Sequence, residues 1–244
     1  MKNRSGETNA KFLALVFALL ILCSMPTQAN DANQAVGAIY CDGGIRGVAT
    51  HIQTAKDYQD HSIIVTAAHV LYNPQTDQQF SQCLYRPQNK RLSGIAFETI
   101  SAHNYSVKNR DKIAQAEADL IFIRLKKKAH QPRLKLAQDS SSEVLAFSLI
   151  SPYLDSFKQA KCQKINHPYL NSDNLLLHNC PVQEGSSGSP LLDKSGDVIA
   201  VHGGRLSVKT KENIEENTAW IGQARRIDLK ALSLFSHTIT KPVQ

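Results

Sequence analysis

From residue 35 onward the chain is written in short runs of apolar, often β-branched residues separated by polar turns. AVGAIYC at 35–41 meets the turn DGG, and RGVATHIQT at 46–54 resumes the pattern. HSIIVTAAHV at 61–70 follows, and after Asn73-Pro74 come FSQCLYR, LSGIAFETI and DLIFIRL. Runs of this length, bounded by Gly, Pro, Asn and Asp, read as strands. DLIFIRL alternates Leu120, Phe122 and Arg124 against Ile121, Ile123 and Leu125, which predicts a half-buried strand with Asp119 at its head.

The second half keeps the style without repeating the sequence: VLAFSLI at 144–150, AKCQKI near 160, NLLLHNC at 174–180, SPLLD at 189–193 and DVIAVHG at 197–203. There are too few long helical patterns for alternating β and α units. The polar stretch KKKAHQPRLKLAQDSSS at 126–142 is expected to cross the surface between two lobes. From Ala219 to Phe235, Ile221, Ala224, Ile227, Leu232 and Phe235 approximate a helical stripe. They predict a C-terminal α-helix on the outside of the second lobe, with Trp220 at its start as the anchor. The expected fold class is all-β: two antiparallel β-barrels with closed edges, over 30–130 and 131–244, and one terminal α-helix.

The first 29 residues read differently. Lys2, Arg4 and Lys11 precede the apolar run FLALVFALLILC, which is short for a membrane span and has the charged front of a secretory signal. Thr27 and Ala29 are the small residues a signal peptidase reads, so residues 1–29 are expected to be removed, with a retained anchor or lipidation at Cys23 as the alternatives. Removal takes three basic residues and Glu7 and lowers the formal charge from +7 to +5, or 25 basic against 20 acidic groups. No basic stripe with aromatic platforms accompanies Lys126-Lys127-Lys128, so a nucleic-acid partner is not expected. The expectation is a secreted or periplasmic bacterial protein, a monomer with no stable membrane insertion.

Four cysteines then remain, Cys41, Cys83, Cys162 and Cys180, an even number suited to two disulfides in an exported chain. Three pairings are possible; Cys41–Cys83 with Cys162–Cys180 is the simplest, stapling each lobe separately. The cysteine and histidine spacings form no compact metal signature, and no cofactor is expected.

The sharpest chemical signal is GSSGSPLL at Gly185–Leu192. Glycines around a serine allow a tight turn that aims amide N–H groups at one point, so Ser187 is the candidate nucleophile and the backbone N–H groups of Gly185 and Ser187 the candidate oxyanion hole. His69, in VTAAHV, has the right intrinsic pKa to take the serine proton. A carboxylate should hold its tautomer. Asp119 at the head of an apolar strand is the first choice, and Asp111 in a polar loop is its rival.

TAAHV, ADLIFIRL and GSSGSPLL, in the order His, Asp, Ser, resemble the chymotrypsin-type (trypsin-like) serine protease superfamily. The form GxSGSP is similar to bacterial members related to glutamyl endopeptidases. The resemblance implies two six-stranded barrels with the active site between them, His69 and Asp119 from the first and Ser187 from the second. It further implies a serine endopeptidase that acts on protein or peptide substrates through an acyl-enzyme.

In animal members an aspartate usually precedes the serine and pairs with a freed N-terminus; Ser186 stands there, so that activation route does not carry over. The resemblance places the first specificity pocket at Pro181, His202, Gly203 and Gly204. Pro181 lacks the charge that would select Lys or Arg. His202 matches a histidine that binds substrate glutamate, so cleavage after Glu or after small apolar residues is expected. A binding or adhesion module that keeps the fold without turnover is the alternative.

Overall fold

The structure, a computed structural model, describes residues 32–54, 62–88, 92–138, 146–153, 156–168, 170, 172–212 and 215–239. The expected signal segment over 1–29 lies outside the described residues.

Six strands, β1 (Val36–Cys41), β2 (Gly44–Ile52), β3 (Ile63–Thr66), β4 (Cys83–Pro87), β5 (Ile95–Ile100) and β6 (Ile121–Leu125), close into an antiparallel barrel in the order β1-β2-β3-β6-β5-β4. Asp42 and Gly43, both at positive φ, make the two-residue hairpin from β1 to β2, a turn whose twist matches that of its strands. Closure comes where β1 pairs with β4, and there Cys41 stands opposite Cys83 and is bonded to it.

The run at 61–70 divides into β3 and a 3-10 helix, Ala68–Leu71. Ala67 and Ala68 are fully buried, and their small side chains let the backbone tighten against the barrel. DLIFIRL is buried more completely than its alternation predicts: Ile121, Phe122, Ile123 and Leu125 are all within 2 % of full burial. Both faces of β6 are covered because its register sets Ile123 beside Ile64 and Phe122 beside Val65 in a closed barrel. Each such side chain contributes roughly 1.5–3 kcal/mol by leaving water.

The second half departs from the expected closed barrel. β7 (Ala146–Tyr153), β8 (Ser156–Gln163), β9 (Leu175–His178), β10 (Pro190–Leu192), β11 (Val198–Glu212) and β12 (Glu215–Arg226) form an open sheet in the order β8-β7-β10-β11-β12-β9. The edges β8 and β9 meet at their ends, through the Lys164–His178 bridge, hydrogen bonds such as Ile165 N to Leu177 O and Gln163 N to Asn179 Oδ1, and the Cys162–Cys180 disulfide, without forming a continuous ladder. β9 has four residues, and β8 turns polar side chains such as Lys158, Gln159 and Lys161 outward, so no apolar stripe demands a longer seam.

The terminal helix also starts later than its pattern predicts. Residues 215–226 are strand β12, paired along β11 from Glu212↔Glu215 to Ala200↔Arg226. Ile221 and Ala224 are three apart, the spacing of one helical face, and fall on opposite faces of a strand; pairing with both β11 and β9 takes the segment as a strand. Trp220 is 65 % exposed on that strand and anchors no helix.

The terminal helix proper is Leu229–Ile239, capped by Asp228, whose carboxylate accepts from Ala231 N at 2.9 Å. Its Leu232 and Phe235 join the cluster that holds the first barrel's core. A further α-helix, α1 (Lys112–Glu117), precedes β6, so the terminal helix (α2) is not the sole one. The connecting stretch is stitched in rather than lying on the surface throughout. Leu134 exchanges hydrogen bonds with His51 and Gln53 of the barrel side, and Ala137 and Lys135 bond Val198 of β11.

The two disulfides span 42 and 18 residues of sequence. Chain entropy predicts that replacing Cys41 and Cys83 by serine costs about 4 kcal/mol and the same change at Cys162 and Cys180 about 3 kcal/mol. Urea unfolding of the two double variants is expected to rank them in that order.

Candidate active site

His69 sits in the 3-10 helix that follows β3, and Asp119 lies between α1 and β6. Asp119 is 3 % exposed and grips His69 twice: Oδ1 accepts from the His69 backbone N–H and Oδ2 from the ring at Nδ1, both at 2.8 Å. With Nδ1 donating to a carboxylate, the neutral ring presents Nε2 as an acceptor. Burial acts to lower the His69 pKa; the charge of Asp119 and its hydrogen bond outweigh this and leave it raised above its ordinary value. Asp111 is occupied elsewhere, since its Oδ1 accepts from Ile113 N and Ala114 N and caps α1.

Ser187 lies on the turn before β10, between two positive-φ glycines, Gly185 at 84° and Gly188 at 88°. The turn is wedged between β2 and β11. Val48 N donates to Ser187 O at 2.7 Å, and Gly188 N donates to His202 O at 2.8 Å. A Cβ on Gly188 would stand 1.9 Å from Val48 O, so only glycine fits both its φ and its neighbour. Gly47 touches the same turn: its Cβ position is 2.6 Å from Ser187 O and 2.8 Å from Val70, the residue after His69. On the other flank, the corresponding position on Gly203 is 2.8 Å from Asp119 Oδ2. The strands that hold the serine turn therefore also hold the histidine and aspartate.

The backbone donors of this turn divide cleanly. Ser186 N donates to Gln183 O, Gly188 N to His202 O and Ser189 N to Ser186 O. Among the described residues, the N–H groups of Gly185 and Ser187 donate to no acceptor, and the Ser187 hydroxyl makes no hydrogen bond. Two unspent amides beside an unengaged hydroxyl can stabilise an oxyanion formed there. Ser186 is buried, and its Oγ accepts from Gln183 N at 3.2 Å, closing the turn from inside.

His202 is 3 % exposed, and its Nδ1 is 3.1 Å from Nε2 of His178, also buried. Cys180 N donates to His178 Nδ1, so neutral His178 carries its proton on Nε2 and can pass it toward His202 Nδ1. That leaves the His202 proton on Nε2. Burial, followed by the neighbouring rings of His178 and His69, pushes His202 down to about 3. Burial likewise takes His178 down to about 4. At neutral pH the pair is uncharged, so His202 places no cation beside the serine turn.

Pro181 is exposed between β9 and the serine turn, and Gly203 and Gly204 are half-buried on β11 across its bulge. Arg205 is exposed and donates to Val182 O at 2.7 Å.

Sequence reasoning assigned His178 no role; its signal was a histidine inside an otherwise apolar strand run. It also missed the aromatic group beside His69. Tyr105 lies 6.3 Å from the His69 ring and 5.7 Å from that of Tyr72, whose hydroxyl meets His103 Nε2 at 3.1 Å. Asp77 ties down the loop that carries them, accepting from Ser106 Oγ and Val107 N.

The sequence matches the family model of a trypsin-like peptidase domain over residues 49–201, which include His69, Asp119 and Ser187. The chain belongs to this family, the trypsin-like, chymotrypsin-fold serine protease superfamily. Solved structures agree in fold. A Glu endopeptidase matches with a TM-score of 0.59 at 12 % identity, covering 86 % of this chain and 92 % of its own. Mouse neuropsin, a serine protease, matches at 0.60 and 13 % identity over 85 % and 95 % of the two chains. A thermostable serine protease from an extremophilic microorganism gives 0.60 at 15 % identity over 86 % and 99 %. No curated protein sequence matches the chain.

Acid should unfold this protein through its buried histidines. His51, lowered to about 4 by burial and then by the charge of Arg133, joins His178 and His202 in having a folded pKa below the unfolded value of about 6.5. Their stabilisation is fully present above pH 6.5 and is lost as pH falls toward 4. Linkage gives a slope of up to about 1.4 kcal/mol per pH unit for each histidine that stays neutral only in the folded state. His69 has the opposite sign: its contribution is present below pH 6.5 and is lost as pH rises through its raised value. Urea midpoints measured from pH 7 to 4 are expected to fall steeply, and less so in His51→Gln.

Proposed function

We propose that this chain is an exported serine endopeptidase in which Ser187 attacks a peptide carbonyl, His69 takes and returns the proton, and Asp119 orients His69. The observation that carries the reading is the double grip of Asp119 on His69, which holds the ring with Nε2 as the acceptor a serine proton needs. The unspent amides of Gly185 and Ser187 support the oxyanion role. His69 then protonates the leaving amine, an acyl-enzyme remains on Ser187 Oγ, and water activated by the same imidazole releases it. Every step uses side chains and amides of this chain alone.

Export rests on the charged and apolar character of residues 1–29 and on two disulfides, which persist in oxidising compartments. For the residue before the scissile bond we favour glutamate. The reason is His202, a buried and uncharged imidazole paired with His178 on the strand whose own carbonyl accepts from Gly188 N of the serine turn, where a ring N–H can act as a donor. A carboxylate accepts such a donor well, and a small apolar side chain does not engage it.

Mass-spectrometric mapping of cuts in a diverse peptide library tests both parts. Ser187→Ala should abolish every cut, and Asp119→Asn should lower kcat on the order of 10⁴-fold. Cuts should concentrate after Glu and lose that bias in His202→Ala. Cuts after small apolar residues would overturn the glutamate reading alone. Failure of the processed, folded protein to cut at all would favour the binding module.

A further inference from the structure

The serine turn has two flanks, and the proposed glutamate pocket uses one of them. On that flank His202 O accepts from Gly188 N, and β11 runs past Asp119 through Gly203. On the other flank Val48 N bonds Ser187 O, and Gly47 is pressed between that carbonyl and Val70, next to His69. β2 and β11 thus flank Ser187 on opposite sides, so a peptide with its acyl half along β11 would carry its leaving half toward the start of β2, next to His69. β2 changes character at this point: Gly47 to Ile52 are buried, whereas Ile45, at 63 % exposure, and Arg46 stand in solvent.

Arg46 is nonetheless held in place. Its guanidinium carbon lies 4.3 Å from the centre of the Phe80 ring, and its Nε donates to Cys41 O at 3.3 Å, where the Cys41–Cys83 bond anchors the hairpin. It forms no ion pair with a carboxylate among the described residues. The neighbouring Asp42 is engaged elsewhere, its Oδ1 accepting from Ser81 Oγ and Gln82 N. A surface arginine with its plane fixed by stacking and its remaining donors open is preorganised for an incoming carboxylate.

We propose that Arg46 is a specificity-determining residue that selects an acidic side chain within the first three residues after the scissile bond. The inference rests on the protease reading and adds a second acidic preference on the opposite side of the cut. A merely structural arginine, stacked to hold the hairpin, predicts that its loss affects all peptides alike.

The test uses the processed protein and fluorogenic peptides identical except for Glu or Gln at each of the first three leaving-side positions. At one position the wild-type kcat/KM ratio of Glu over Gln should be about fivefold, the scale of an exposed but prearranged ion pair, and it should shrink with added salt. Arg46→Gln should bring that ratio to one, Arg46→Lys should keep part of it, and Arg46→Glu should invert it in favour of the Gln peptide. A wild-type ratio of one at all three positions, or a ratio that survives Arg46→Gln, would overturn the proposal while leaving the protease intact. Absence of any Ser187-dependent cleavage would remove the protease reading and this proposal with it.

Discussion

Where Gly188 crosses β2, backbone meets backbone with no space for a side chain. Val48 offers both its groups at this crossing: its N–H bonds Ser187 O, and its carbonyl accepts from Thr66 Oγ1 at 2.6 Å while bounding the Gly188 Cα. The closed barrel is the rigid side of that contact, since β2 and β3 are buried there and paired in register. The turn from Gly185 to Ser189 takes its shape against that wall. Which amides are consumed and which stay open follows from the same docking. Any side chain at 188 would displace the turn, and with it the contact of Ser187 O with β2.

Asp119 depends on this frame in a second way. A carboxylate 3 % exposed would be costly without partners, and both its oxygens find them in a single residue, His69. The backbone contact sets the helix and the ring contact sets the tautomer, so position and protonation are governed together. Gly203 of the second sheet closes over Oδ2, which means the two halves of the chain jointly exclude water from the carboxylate. The second sheet has little need to close on itself: its working strands, β10 and β11, lie at its centre, and a disulfide ties its free edges.

Much of this could be read along the chain. The apolar runs located the barrel strands to within a few residues, because each is bounded by turn-forming residues and period-two burial leaves a clear trace. The glycine-serine turn, the histidine after two alanines and the aspartate at the head of β6 were legible for the same reason, each being a local geometric need written in adjacent residues. Legibility failed where local spacing and tertiary pairing disagree. Ile221 and Ala224 keep helical spacing, and pairing with β11 and β9 made the segment a strand, carrying Trp220 to the surface. Five of the six strands in the second half were visible as apolar runs, but β12 and the openness of the sheet were not, because both depend on how strand edges meet.

By itself the sequence determined which residue types were available for chemistry and which segments were extended, since both depend on neighbours within a few positions. It also supplied four cysteines whose simplest pairing is the one formed. Tertiary structure alone decided what lies across from what. It buried His178 against His202, and that burial made both neutral, it set the Tyr72, His103 and Tyr105 group beside His69, and it stacked Arg46 on Phe80. The two members of the His178–His202 pair are 24 positions apart, and His69 and Asp119 are 50 apart. The physics that joins them, desolvation and contact across strands, has no counterpart in local periodicity.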